Sequence, residues 1–134
     1  MSVLGVAPAV RAEGSALSAR MECAPATGPG RIVCELNVSA SSGTLAWVDA
    51  LVVQAPPFAR PLRSRVTLQV GPAGALGAAS AKLALVASEL GRGELQLRVR
   101  SVVCRESSSG ESCGPEVVPV VAVVLVGQPA PSPP

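Results

Sequence analysis

From Gly93 onward the chain alternates. Leu95, Leu97 and Val99 are apolar, and Gln96, Arg98 and Arg100 between them are polar. That period of two predicts a strand with one face buried. Val117 to Val126 is an almost continuous β-branched run, broken by Pro119, Ala122 and Leu125. It reads as a strand buried on both faces. Arg105 to Ser112, between these runs, holds no apolar residue. It is expected to be a polar loop folded about Ser108 and Ser109, with Cys104 and Cys113 at its two lips. The sulfurs would then face each other where the strands end. The rest of the chain supplies shorter strands that can cover this hairpin.

The first of these is Ala16 to Ala26, where Leu17, Ala19, Met21 and Cys23 alternate with Ser18, Arg20 and Glu22. A turn cluster follows at Pro25 to Gly30. Ile32, Cys34, Leu36 and Val38 then resume the apolar face. Folding about Gly28 and Pro29 sets Cys23 opposite Cys34, close enough to bridge. On the apolar face such a bond is a buried staple, worth about 2–3 kcal/mol by loop closure.

Leu45 to Gln54 is a third strand, with Trp47 expected as a core anchor. Asp49 falls on the same period-2 face as Leu45, Trp47 and Leu51. A carboxylate there marks a bulge or strand edge, or has an arginine to satisfy it. Ala55 to Pro61 carries three prolines and cannot be a central strand. It is a stiff loop presenting Phe58 and Arg60, the candidate partner-facing residues, with Phe58 either tucked under the sandwich or offered outward. Arg63 to Val70 alternates again, with Val66, Leu68 and Val70 inward. Ala78 to Leu90 suits a helix by propensity, but the flanking glycines favour a strand around Lys82 to Ala87. The expected core includes Ile32, Leu36, Trp47, Leu51, Val66, Leu68, Leu95, Leu97 and Val99. About seven strands at such spacings define an all-β fold, an immunoglobulin-like antiparallel sandwich.

Composition narrows the function more than it names it. A chain of 134 residues is one domain by size. The sandwich is expected over residues 15–127, after a leader or signal-peptide remnant at 1–14 and before a Pro-rich tail at 128–134. The chain has one Phe, one Trp, no Tyr and a net charge of +2, so it lacks the basic stripe and stacking residues of a nucleic-acid binder. It has no histidine, which excludes Ser–His–Asp and Cys–His catalysis within this chain. The cysteines are separated by ten and eight residues, unlike the closely spaced pairs of a zinc site. No metal or cofactor is expected. Four cysteines in a small β-rich chain imply an oxidising compartment, periplasmic or secreted. Asn37-Val38-Ser39 matches a glycosylation sequon, read as chance in a chain whose Arg, Ala, Gly and Pro usage looks bacterial.

The closing hairpin resembles the N-terminal periplasmic domain of the thiol–disulfide interchange protein DsbD. The resemblance rests on a strand Leu95 to Val103, Cys104, a loop, Cys113-Gly-Pro-Glu116 and a final strand from Val117. The loop is longer than that family's, its shielding aromatics are missing unless Phe58 substitutes, and Cys23 and Cys34 have no counterpart. The resemblance implies that Cys104 and Cys113 pass electrons from a membrane partner to a thioredoxin-like protein. Beside it stands a non-catalytic binding or accessory module held by two structural disulfides, whose partner would be another periplasmic or membrane protein.

Overall fold

The computed structural model describes residues 16–70 and 77–127. The segments expected as a leader, 1–14, and as a Pro-rich tail, 128–134, lie outside the described residues. Nine strands appear among them: β1 (Leu17–Cys23), β2 (Gly30–Ala40), β3 (Thr44–Gln54), β4 (Ala59–Pro61), β5 (Arg65–Thr67), β6 (Gln69–Val70), β7 (Ala78–Ala87), β8 (Gly91–Ser107) and β9 (Gly110–Val126). They form two antiparallel sheets. One has the order β1-β2-β7-β4 with β6 also on β7, and the other has the order β5-β3-β8-β9. This is an immunoglobulin-like β-sandwich, with no helix among the described residues.

The alternation dictates the packing. In β1 and β2, Leu17, Ala19, Met21, Ile32, Cys34, Leu36 and Val38 are buried while Ser18, Arg20, Glu35 and Asn37 between them are exposed. Leu95, Leu97, Val99 and Val103 of β8 meet them from the other sheet, with Val118, Val120, Ala122, Val124 and Val126 of β9. The 78–90 segment takes the strand form, and its Leu83, Leu85 and Ala87 are buried. The Arg63 to Val70 run crosses between sheets. β5 pairs with β3, β6 pairs with β7, and Leu68 sits buried at the crossing with its N–H donating to Val48 O at 3.0 Å.

Three expectations need correcting. Trp47 is not a core anchor; it is 37% exposed. Pairing passes from Leu45↔Val103 to Trp47↔Val102, so Ala46 is one extra residue, a β-bulge. The bulge reverses the parity of β3. Val48 and Ala50 turn inward, and Trp47 faces solvent. Leu51 is only half-buried for the same reason. Second, β9 is an edge strand with one face in the core. Val117 is 51% exposed while Val118 is buried. The run is long in valine because one residue in two packs inward and the others carpet the outer face. Third, Arg105 to Ser112 is not a loop. β8 and β9 stay paired through Cys104↔Cys113, Arg105↔Ser112, Glu106↔Glu111 and Ser107↔Gly110, and only Ser108 and Ser109 turn. The ladder runs past the end of the core, so its residues need no apolar face.

Edge position also explains the prolines of β9. Leu125 O accepts from Ala26 N at 3.0 Å, so its backbone groups point away from β8. Pro115 and Pro119 share that parity, and their missing N–H groups cost no ladder bond. β4 obeys the same rule as a three-residue edge strand ending in Pro61.

One core position is unsatisfied. Ser101 is 2% exposed, and its Oγ has no hydrogen-bond partner. A buried hydroxyl without a partner costs about 1–3 kcal/mol. Ser101→Ala should therefore raise the midpoint of urea unfolding, with stability up by roughly 1 kcal/mol after the lost packing is counted. A lowered midpoint would show that the hydroxyl is bonded in solution.

Candidate functional site

The outer face of the four-stranded sheet carries the groups with chemistry. It is assembled in rows across β3, β8 and β9. Thr44, Cys104 and Cys113 form one row and Trp47, Val102 and Pro115 the next. Asp49, Arg100 and Val117 follow, then Leu51, Arg98 and Pro119. Parity puts all of them on one side of the sheet, opposite the core residues.

Asp49 is the centre of this face. It is fully buried beneath two arginines, although it points away from the core. Arg100 forks onto it, Nε donating to Oδ1 at 2.9 Å and Nη2 to Oδ2 at 2.6 Å. Arg65 Nε, from β5, donates to Oδ2 at 2.8 Å. The Arg100 hydrogen bonds hold the Asp49 carboxyl below its ordinary value of 3.8; burial opposes that, and the charge of Arg100 and the bond from Arg65 add to it. The bond to Asp49 raises Arg100 in turn. The same guanidinium lies over the Trp47 ring, with Cζ 5.7 Å from the centroid, in cation–π range. A single carboxylate thus fixes two arginines, and one of them fixes the tryptophan.

Both disulfides form. Cys23–Cys34 and Cys104–Cys113 join directly opposed residues, with Cα atoms 3.9 and 4.0 Å apart. Ala24 N donating to Val33 O at 3.1 Å makes Cys23/Cys34 a non-hydrogen-bonded pair, the closer of the two kinds. Cys104/Cys113 is the same kind by the parity of Leu125. Their environments differ. Cys34 is fully buried, and Cys23 packs against the core. Cys104 is 8% exposed, but Cys113 lies open on the outer face. Gly43 fits under this lip because a Cβ there would stand 2.5 Å from Cys104 O, and its φ of +88° also favours glycine. The ligand atoms of Cys104, Glu111 and Cys113 lie within 4.8 Å of one another. Bonded to each other, the sulfurs are not thiolates and offer no metal site.

The candidate partner-facing residues separate. Phe58 is half-buried, its ring filling the space above Gly91, where a Cβ would meet Cδ2 at 2.6 Å, and its carbonyl accepts from Ser88 N at 2.8 Å. Arg60 is exposed on β4, opposite Val86 and on the other sheet. Neither touches the rows around Trp47. Sequence reading missed the Asp49–Arg100–Trp47 constellation as a surface. The signal was present in Asp49 on an apolar parity, with the bulge as one of its explanations. A shallow groove of about 280 Å³ on the other sheet, lined by Ser18, Arg20, Asn37, Gln69 and Ser80, has no acid–base or nucleophilic pair.

Fold and site together define a disulfide-stapled immunoglobulin-like domain with a structured, solvent-facing sheet. No family profile and no curated protein matches the chain. Among solved structures it is similar to WR4, a C. elegans MSP family member, at 12% identity over 84% of this chain and 98% of that one, with a TM-score of 0.41. The resemblance of the closing hairpin to the DsbD family is therefore not upheld. No family profile and no curated protein supports it, and the loop on which the resemblance partly rested is a paired ladder.

Two measurements test this site. Because the folded carboxyl of Asp49 is lowered, its contribution is complete above pH 3.8 and is lost as pH falls through the folded value. Asp49→Ala should cost about 1.5–2 kcal/mol at neutral pH, the low half of the charged hydrogen-bond range, since both guanidiniums can rehydrate. The gap to wild type should close in acid; a gap constant down to the acid transition would sink the assignment. Dithiothreitol titration with alkylation and peptide mapping should open Cys104–Cys113 before Cys23–Cys34, because thiolate attack needs access. Simultaneous opening would contradict the exposure difference.

Proposed function

We propose that the protein is an extracytoplasmic, non-catalytic binding or accessory module that offers the outer face of its four-stranded sheet to another protein. The observation that carries this is the placement of Trp47. The chain's only tryptophan is turned out of a core short of large side chains and held at the surface by Arg100 on Asp49. Val117 is 51% and Val53 52% exposed on the same sheet. Aromatic and arginine anchors with a preset geometry are the groups that dominate protein interfaces. Pre-ordering by Asp49 lowers the entropy such a contact must overcome. Two disulfides support an oxidising compartment, and a periplasmic or membrane protein is the partner that setting supplies. No described helix is long and apolar enough to cross a membrane.

A second reading, thiol–disulfide interchange at Cys104–Cys113, draws on the open position of Cys113. A structural bond has a reduction potential below about −300 mV, and an exchanging one lies well above it.

The binding reading is tested by cross-linking the oxidised protein in an extracytoplasmic fraction, beside Trp47→Ala, Val117→Asp and Arg20→Ala. Trp47→Ala should remain folded, costing about 1–2 kcal/mol rather than the 3–5 of a buried aromatic. The two face variants should lose the adducts that Arg20→Ala, on the other sheet, retains. Equal adducts from all four proteins would remove this face from consideration.

A further inference from the structure

We infer that the outer face of the four-stranded sheet docks a second copy of this chain, related by a two-fold axis along the Trp47–Val102–Pro115 row. The inference rests on the reading of that face as the binding surface. It starts from two charges with no ion-pair partner among the described residues. Glu106 stands directly opposite Glu111, in a non-hydrogen-bonded pair by the parity that governs Cys104/Cys113. Side chains are closest in such pairs, and like charges there repel. Neither glutamate joins an ion pair among the described residues. Arg98, between Leu51 and Pro119 on its neighbouring strands, also has no ion-pair partner among the described residues. A tip with two adjacent carboxylates and an exposed arginine further down the same face need each other, and they cannot meet within one chain.

Their spacing allows them to meet between chains. Arg98 and Glu106 each lie four residues from Val102 along β8, which is about 13 Å to either side on the same face. Rotating one copy by a half turn about the Trp47–Val102–Pro115 row sets its Glu106–Glu111 tip over Arg98 of the other copy, and the reverse contact forms at once. The axis row then packs on itself, apolar against apolar, as an isologous interface requires. Beside it Arg100 and Arg65 are already engaged by Asp49. The result has an apolar centre with Trp47 and a charged rim, the usual anatomy of a specific contact. From Glu106 to Arg98 the face is about 26 Å long, two strands wide at the tip and four at the Arg98 row. That is at the small end of stable interfaces, so association in the micromolar range is expected. Arginine and glutamate side chains are long enough to span the rotation of about 30° between aligned packed sheets.

The test is sedimentation velocity of the full oxidised chain across the micromolar range, at low and high salt. Wild type should dimerise, more weakly in high salt. The charge reversals Glu106→Arg with Glu111→Arg, and separately Arg98→Glu, should each weaken self-association by about tenfold or more, because each dimer then carries two like-charge contacts. Mixing the two reversed proteins should restore a dimer near wild-type strength, since both contacts become attractive again. If a reversed chain fails to show a wild-type unfolding transition, Glu106→Gln with Glu111→Gln replaces it and should weaken the dimer less. A wild-type chain that stays monomeric, a dimer indifferent to the reversals, or one dissolved by a chelator each overturns the proposal. A monomer that still loses its cross-links in Trp47→Ala would leave the binding face standing with a different protein on it.

Discussion

The β8–β9 ladder is the constraint on which the other features depend. It pairs Gly91↔Val126 to Ser107↔Gly110 without a register shift, so every side chain on two long strands has its face assigned at once. A slip of one residue would exchange Val118, Val120, Ala122 and Val124 for Val117, Pro119, Val121 and Val123. Because both sets are apolar, hydrophobicity alone would hardly oppose that slip. The register is held instead by the cross-link between Cys104 and Cys113. Pro115 and Pro119 add to this, since the wrong parity would aim their missing donors into the ladder.

The charged cluster follows from that register combined with one bulge. With Ala46 extruded, Asp49 leaves the parity that would have buried it unpaired in the core and arrives opposite Arg100. An isolated carboxylate inside would have cost far more than the sheet could return. Outside, it orders two guanidiniums and an indole. The exposed tryptophan and the satisfied aspartate are therefore one event in the backbone.

Much of the fold was legible in the sequence because alternation is a direct record of a half-buried sheet. β1, β2, β8, the strand character of 78–90 and both cysteine registers could be read from residue parity. The expected strands match the structure once Arg63 to Val70 is allowed to change sheets at Leu68 and β4 is added. Trp47 could not be placed because a bulge shifts parity without any obligatory sequence mark; Asp49 was the only hint. The polar stretch from Arg105 to Ser112 looked like a loop because a ladder beyond the core lacks the apolar face by which strands are recognised. Valine on both parities hid the solvent face of β9. Charge pairing across a surface depends on which strands become neighbours, and that is decided by topology rather than by local pattern.

Each disulfide closes a short segment, with sequence separations of 11 and 9, and each lies inside a single antiparallel hairpin. Loops of that length close in roughly 10–100 ns, long before distant strands find one another. In an oxidising compartment the correct partners are therefore the nearest ones even in the unfolded chain. A mispaired Cys23–Cys104 bond would have to close a loop several times longer, at a higher entropic cost. Oxidation can thus precede assembly of the sandwich as the chain emerges, and it needs little reshuffling by an isomerase.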